Sequence, residues 1–268
     1  MSSTTGKSWK IARYSGTTPY NVGGIPTSPK FIKHSAHDLE KGTGQRRLVA
    51  LHATNIYWEL AWRMKLQRLD YIIAYAMPSA EADLTAHNLF FTDGITSRGF
   101  TNVLIDKCDI EIAQTGSIHA DLVAYGISSE VKSITPAYDS DSPMSKASLT
   151  TLTVGGVAIP KWTDIRFGVS NNVARVPTGT TDTITELYAR DPNYNGRIKF
   201  AKTVDPAFGF AEVLKSTIIM ALRDNQTVPV TKTFTFTSAA MKSNTVEVQE
   251  LDLVYETIDW DGDRVTIA

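Results

Sequence analysis

The chain has 268 residues, of which 42% are hydrophobic and 21% are charged, and its formal net charge is −1. This length accommodates one large domain or two domains of about 130 residues, and either arrangement can bury a hydrophobic core. A net charge near zero argues against nucleic-acid binding through a basic surface, which requires a clear excess of lysine and arginine. It also provides little repulsion between copies of the chain.

Targeting and redox signals are absent from the sequence pattern. Residues 1–21 are rich in Ser and Thr and contain no apolar run, so we expect no signal peptide. No segment approaches the ~20 apolar residues of a membrane span. Cys108 is the only cysteine and cannot form an intrachain disulfide. We therefore expect a protein that is made in a cytoplasm and does not insert into a membrane.

The first half of the chain alternates between strand and helix patterns. Residues 1–21 predict an extended N-terminal arm or a disordered terminus. From Ile56 to Met64 apolar residues alternate with polar ones, which predicts a strand. Apolar residues then recur every three to four positions from Leu66 to Met77, which predicts a helix that Pro78 ends.

A β-hairpin is predicted next. Cys108–Ile112 and Ile118–Ala124 both alternate, and a Thr115-Gly116 turn lies between them. The Ser-, Pro- and Asp-rich residues 127–147 predict a linker.

The second half shows a similar order of elements. Gly155-Gly156 predicts a tight turn, and Ile165–Val169 predicts a strand before the polar loop at Ser170–Thr185. Asp205-Pro206 resembles a helix start. The expected helix has one apolar face made of Phe210, Val213, Leu214, Thr217 and Ala221. Closing strands are predicted around Phe234–Phe236, Val246–Val248 and Leu251–Tyr255, with a bulge between the last two.

This order of elements predicts a tandem duplication. The boundaries are an arm at 1–21, a first domain at 22–126, a linker at 127–147 and a second domain at 148–268. Matching Ala120–Val123 to Leu251–Val254 gives an offset of 131 residues, which rises to about 145 at the two helices.

No catalytic motif or metal-binding constellation occurs in the sequence. His34 and His37 lie three residues apart in a polar segment without further paired ligands. The Asp259–Asp263 segment resembles part of a calcium loop, but its Asp-Gly step favours a hairpin turn. Cys108 alternates with isoleucines and is interpreted as a buried apolar residue. We expect no enzyme activity, no cofactor and no metal.

One predicted strand has two distinct faces. Trp58 and Trp62 are interpreted as core residues, and Glu59, Arg63 and Lys65 lie on the opposite face. That polar face is either an ordinary solvent-exposed surface or the lumen of a tube.

Three runs characterise the second half: Leu152–Pro160, the following Ile165–Asn172, and Asn195–Phe200. In these runs the second half resembles the major tail tube proteins of siphophage-like viruses. In the first half, Gly99–Gly126 fits the same pattern. The resemblance implies a mainly β (α+β) fold made of two tandem β-sandwich or half-barrel domains, each flanked by one α-helix.

The resemblance also implies a function. Three two-domain chains would form a ring, and stacked rings would form the virion tail tube through which DNA passes into the host. Its partners would be copies of the chain, the tail tip, terminator and tape measure proteins, and DNA that passes without sequence-specific binding. The implied inter-subunit contact residues lie in long polar loops: Gly42, Gly44, Arg46, Arg47, Asn171, Asn172 and Arg175.

Two other functions remain open at this point. The chain could be the inner tube of a contractile or secretion system, or another self-assembling β-rich protein. It could also be a carbohydrate-binding or hydrolysing β-sandwich with Trp58, Trp62, Trp162 and Trp260 lining the sugar site, although no carboxylate pair accompanies them.

Overall fold

The computed structural model describes residues 9–41, 48–77, 84–136, 142–177, 184–202, 215–248 and 254–268. These residues are mainly in β-strands, with one short α-helix, α1, at Asp70–Tyr75 and a 3-10 turn at Lys146–Ser148. The strands are Lys10–Ser15 (β1), Thr18–Tyr20 (β2), Gly24–Lys41 (β3), Leu48–Leu66 (β4), His87–Thr92 (β5), Ser97–Ala113 (β6), His119–Gly126 (β7), Ser128–Glu130 (β8), Leu149–Val154 (β9), Val157–Ala158 (β10), Trp162–Ser170 (β11), Ala174–Pro177 (β12), Ile184–Tyr188 (β13), Asn193–Ala201 (β14), Lys215–Arg223 (β15), Thr231–Val248 (β16), Val254–Gly262 (β17) and Arg264–Ile267 (β18).

The strands form one strongly curled, antiparallel half-barrel sheet, and β12 and β13 form a separate two-stranded ribbon. The long path through the sheet is β10-β9-β15-β16-β17-β14-β11-β6-β7-β4-β3. The first part of β6 also pairs with β5 and β8, and β1 and β2 follow beyond β5. Strand β6 therefore belongs to both branches of the sheet.

Every strand pairing of the first half recurs in the second half. The corresponding pairs are β1–β2 and β9–β10, β1–β5 and β9–β15, β5–β6 and β15–β16, β6–β7 and β16–β17, β6–β8 and β16–β18, β3–β4 and β11–β14, and β4–β7 and β14–β17. One further pairing, between β6 and β11, joins the first set of strands to the second. We call the two sets the first and second repeat.

Five strands of the first repeat, β3, β4, β6, β7 and β8, also share their register with strands of the second. Leu60 pairs with Phe31 on one side and with Ala124 on the other. Gly196 pairs in the same way with Phe167 and Trp260. One constant displacement along the chain therefore takes Leu60 to Gly196, Phe31 to Phe167 and Ala124 to Trp260, and we call it the repeat shift.

The repeat shift also relates the irregular points of β6 and β16. It takes Asn102 to Ser238, and both residues have left-handed backbones, with φ of 49° and 54°. Register shifts follow at Ile105/Lys107 in β6 and at Met241/Ser243 in β16. The two long strands therefore bend at corresponding places.

This register corrects the predicted alignment of the two halves. The strand His119–Gly126 corresponds to Tyr255–Gly262 and not to the segment around Leu251–Val254, whose first three residues lie outside the described ones. The predicted offset is therefore wrong at this strand. It was wrong because it relied on a short similarity of sequence, whereas the backbone pairing runs along whole strands.

The first predicted helix is present but shorter than expected. Leu66 still belongs to β4, and the helix runs only from Asp70 to Tyr75. The second predicted helix is wrong where it can be assessed, because Thr217 and Ala221 lie in β15. The other residues of its predicted face, Phe210, Val213 and Leu214, lie outside the described residues. In β15 the buried Ile218, Met220 and Leu222 alternate with period two, which fits a strand.

The predicted hairpin turn at Asp259–Asp263 is also wrong. Both β17 and β18 run antiparallel to β16, so the chain continues in the same direction through Asp263. The predicted closing strands at Phe234 and Val248 belong to one strand, β16. The predicted bulge before Leu251 lies outside the described residues.

Several predictions are confirmed. The alternating segments at Ile56–Met64 and Ile165–Val169 are strands within β4 and β11, and the hairpin around Thr115-Gly116 is formed by β6 and β7. Gly155 and Gly156 form the turn between β9 and β10 with φ of 58° and 82°.

Two other segments contain more structure than predicted. The segment predicted as an arm contains β1 and β2, and the segment predicted as a linker contains β8 and the fully buried Met144.

Besides a small cluster of Tyr14, Phe90 and Ile134, the described residues form a large hydrophobic core that extends through both repeats. Its buried cluster includes Trp62 and Phe100 of the first repeat together with Phe167, Phe236 and Trp260 of the second. Trp58 packs against this cluster while remaining partly exposed, so the interpretation of Trp58 and Trp62 as core residues is confirmed.

Candidate functional site: two sheet edges and a polar face

The two repeats are joined by a strand pairing that forms the middle of the sheet. Strands β6 and β11 run antiparallel in continuous register. The pairs are Lys107 with Ser170, Cys108 with Val169, Asp109 with Gly168, Ile110 with Phe167 and Glu111 with Arg166. Cys108, Ile110 and Phe167 are fully buried. We call this pairing the internal junction.

The corresponding strands at the two ends of the sheet have an open side. By the repeat shift, β3 corresponds to β11, and the last part of β16 corresponds to the last part of β6. Within the described residues, β3 pairs only with β4, and residues 241–248 of β16 pair only with β17. Unpaired backbone groups along such edges are able to accept another strand.

The open edge of β16 exposes apolar side chains. Val246 and Val248 are 42% and 74% exposed, whereas the corresponding Ile110 and Ile112 of β6 are both 0% exposed. All four residues lie on the core face of their strands, because they share parity with the buried residues of β6. The difference arises from the missing neighbour: β11 covers β6, and no described strand covers the end of β16.

The opposite face of the sheet is strongly polar, and we call it the polar face. It spans β4, β7, β6, β11, β14, β17 and β16. Among the described residues its acidic and basic members are nearly balanced: Glu59, Asp109, Glu111, Asp121, Asp164, Glu247, Asp259 and Asp261 against Arg63, Lys65, Lys107, Arg166, Arg197, Lys199 and Lys242. The predicted polar residues of β4 are therefore part of a larger surface.

Ion pairs connect neighbouring strands across this polar face. Arg63 contacts both Glu111 at 2.5 Å and Asp121 at 3.4 Å. Arg166 contacts Asp109 at 2.8 Å. The pair between Lys199 and Glu247, at 2.8 Å, reproduces the Arg63–Glu111 pair after the repeat shift. Such exposed pairs stabilise the fold little, so their main consequence is to balance charge over the surface.

One carboxylate on the polar face has a lowered pKa. The hydrogen bonds from Arg197, assisted by Ser243, lower the pKa of the Asp259 carboxyl. Partial burial raises the pKa of Asp164 instead. The Asp259 carboxylate is thus bound by a guanidinium and a hydroxyl of its own chain.

The predicted contact residues fall into two groups. Gly42, Gly44, Arg46 and Arg47 lie outside the described residues. The second group, Asn171, Asn172 and Arg175, begins the ribbon of β12 and β13. The prediction of a polar loop at Ser170–Thr185 is therefore wrong for the residues of β12.

Asn171 connects this ribbon to the core. It is fully buried, and its Nδ2 donates to the carbonyl oxygens of Ala76 and Ile105, both at 2.9 Å. The carboxylate of Asp106 accepts from the backbone nitrogen of Val173 at 2.8 Å. The exposed Asn172 donates to the carbonyl of Asp191 and has a left-handed backbone with φ of 49°. The Asn171 amide therefore fixes the ribbon to its own chain.

Arg175 binds an aromatic cluster of the first repeat. Its guanidinium lies over the rings of Tyr57 and Tyr125, at 4.7 and 4.8 Å, and its Nη1 donates to the Tyr57 hydroxyl at 2.7 Å. His34 stacks on the Tyr57 ring and contacts Glu59 at 3.0 Å. Through the Arg175 contact, the ribbon of the second repeat packs on the first repeat.

The sequence did not indicate which edges are open. The residues that matter at those edges include Lys30 and Phe31 on β3 and Val246 and Glu247 on β16. Of these residues, only Val246 and Glu247 were part of a predicted strand. Whether a strand lies at an open edge depends on the order of strands in the sheet, which local sequence does not determine.

Two further features of the described residues concern the metal and sugar sites considered above. No group of three or more His, Cys, Asp or Glu residues there is arranged to hold a metal ion. An open groove of about 530 Å³ is lined by Trp162 and Tyr255 together with Lys146 and Lys161, and none of the described residues lining it is acidic. It therefore lacks the paired carboxylates of glycoside hydrolysis.

Comparison with known proteins adds no family. Neither a protein-family model nor a curated protein matches this chain. Among the described residues, no helix is long and apolar enough to cross a membrane.

Proposed function

We propose that the chain is a structural subunit that assembles with copies of itself into the tail tube of a virion. The observation that carries this proposal is the internal junction. One strand pairing joins two repeats of the same register, and the corresponding edges at the two ends of the sheet are open. Each chain thus presents one edge of each kind, which is the requirement for head-to-tail association into a closed ring.

In this proposal the two repeats are tandem tail-tube-like domains that arose by duplication. Support comes from the recurrence of all strand pairings of the first half and from the common repeat shift. In the resemblance described above, three such chains form a ring with pseudo-sixfold symmetry, and rings stack into a tube. The tip, terminator and tape measure proteins and the virion location follow from the same resemblance.

The polar face is proposed to line the bore of the tube. Its mixed and nearly balanced charge suits a conduit for DNA, because a basic bore would retain phosphates and slow transit. We expect no enzymatic role and no cofactor. At physiological salt, labelled duplex DNA should show no measurable retention by assembled tubes in a sedimentation assay, and strong retention would contradict this orientation of the sheet.

Negative-stain electron microscopy of the purified protein tests the proposed assembly. The expected result is rings or hollow tubes, and averaged end views should have threefold symmetry. A strictly monomeric protein over a wide concentration range, including in the presence of preformed tail tips, would contradict self-assembly.

A further inference from the structure

The open edges provide enough information to place two neighbouring copies in register. We infer that β16 of one copy pairs antiparallel with β3 of a second copy in the register of the internal junction. The inference rests on the self-association proposed above, and it adds a specific set of residue pairs. These are Glu247 with Lys30, Val246 with Phe31, Thr245 with Ile32, Asn244 with Lys33 and Ser243 with His34.

The register follows from the repeat. On β6 and β11 the pair Glu111 with Arg166 belongs to the internal junction. The repeat shift takes Glu111 forward to Glu247, and the same shift in reverse takes Arg166 back to Lys30. Strands β3, β4, β6 and β7 all map onto the second repeat with this one shift. The shift alone therefore fixes which residue of β16 pairs with which residue of β3.

The chemistry of the inferred pairs is complementary. Glu247 would meet the exposed Lys30, as Glu111 meets Arg166 in the internal junction. Glu247 already contacts Lys199 of its own chain at 2.8 Å, just as Glu111 contacts Arg63. One carboxylate would therefore lie between two basic side chains at both places.

The core face is complementary as well. Val246 would oppose Phe31, as the fully buried Ile110 opposes Phe167. One position differs in kind: Cys108 and Val169 are apolar, whereas the corresponding Asn244 and Lys33 are both polar. Because the substitution occurs on both strands, it keeps the two edges matched to each other. It also makes each edge less apolar before assembly, which limits unwanted strand pairing.

Disulfide cross-linking tests this register. The double variant Ile32→Cys with Thr245→Cys places two thiols directly opposite each other on the polar face of neighbouring copies. The control variant, Lys33→Cys with Thr245→Cys, places them on opposite faces of the sheet. The native Cys108 is fully buried and can remain in both proteins. Mild oxidation should link most subunits of the first variant into dimers and trimers on a non-reducing denaturing gel, and few of the control.

Two outcomes separate this inference from the proposed function. If the unmodified protein forms rings but the first variant does not cross-link, or both variants cross-link equally, the register is wrong while self-assembly stands. If the unmodified protein remains monomeric by analytical ultracentrifugation, both fail. Circular dichroism of each variant establishes that it is folded, so that failure to cross-link is not attributed to misfolding.

Discussion

The last parts of β6 and β16 are corresponding strands in different surroundings. Both bend at a left-handed residue, both carry a register shift three positions later, and both carry a glutamate paired to a basic residue two strands away. On β6, strand β11 covers the outer side and Ile110 is buried. On β16, no described strand covers that side and Val246 is exposed. The comparison is the basis for inferring that the strand pairing made within the chain is also made between chains.

Matched truncations at these two positions should differ in their effect on folding. Ile110→Ala removes fully buried methyl groups and should lower the free energy of unfolding by about 2–5 kcal/mol. Val246→Ala should lower it by less than about 1 kcal/mol, because the side chain is partly exposed in the single chain. Urea denaturation of the unassembled chain measures both effects. Equal destabilisation would show that Val246 is covered within its own chain.

The Val246→Ala variant should instead weaken assembly. If Val246 becomes buried between copies, its truncation removes roughly 1.6 kcal/mol of apolar contact from each interface, at ~0.8 kcal/mol for each methylene equivalent. The dissociation constant should rise about tenfold. Sedimentation velocity at several concentrations measures this change, and an unaltered constant would place Val246 outside the interface.

A second difference between the repeats is a buried histidine. The imidazole of His87 on β5 shares a hydrogen bond with the Tyr71 hydroxyl at 2.8 Å. His87 pairs with Val103 of β6, and the residue of β15 that pairs with the corresponding Ala239 of β16 is Ser216. Burial lowers the pKa of His87 to about 3 from its ordinary 6.5. The unfolded chain therefore binds a proton below pH 6.5 that the folded chain does not, and stability falls as pH decreases from 6.5 towards 3.

Replacing this histidine should flatten the pH dependence. Between pH 6.5 and 5 the native protein should lose up to about 2 kcal/mol, since each pH unit corresponds to about 1.4 kcal/mol. The variant His87→Asn should lose less over the same range, whatever its absolute stability. The control His34→Asn removes a partly exposed histidine, so the two variants separate the buried site from one at the surface. Identical slopes for all three proteins in urea titrations would contradict the assignment to His87.

The smallest expected effect concerns the ribbon of β12 and β13, whose residue pairs correspond by the repeat shift to those at the ends of β3 and β4. Arg175→Ala removes the guanidinium from the Tyr57 and Tyr125 rings and should destabilise the ribbon by about 1 kcal/mol. Amide hydrogen exchange should accelerate in Ala174–Pro177 and Ile184–Tyr188 while remaining unchanged in β6. The exposed Arg190→Ala serves as the control, and faster exchange in both variants would exclude a specific anchoring role for Arg175.

The sequence predicted individual strands well where burial is one-sided. In β4, β6 and β11 apolar residues alternate with polar ones, because one face packs on the core and the other carries the polar face. The sequence-based prediction failed at β15, because Thr217 and Ala221 also satisfy a helical spacing. The segment is a strand because its buried residues alternate with period two. The prediction of a turn failed at Asp261-Gly262 because an Asp-Gly dipeptide can also lie where the chain runs straight on along a neighbouring strand.

The relation between the repeats could not be obtained from residue identities. Leu60 corresponds to Gly196, and Cys108 corresponds to Asn244, so corresponding positions share backbone pairing without sharing side chains. At Gly196 the ring of Trp260 covers the glycine, which lets a position without a side chain remain in the core. The polar face was predicted in part, through Glu59, Arg63 and Lys65. The open edges were not, since they depend on which strands lie last in the sheet.

A cryo-electron microscopy map of the assembled ring tests the central claim most directly. We expect three chains whose sheets continue from one to the next, with the backbone of Val246 next to that of Phe31 of the neighbouring copy and the polar face directed to the bore. A ring in which these two strands do not pair, or in which the contact between copies lies away from the edges of the sheet, would contradict it.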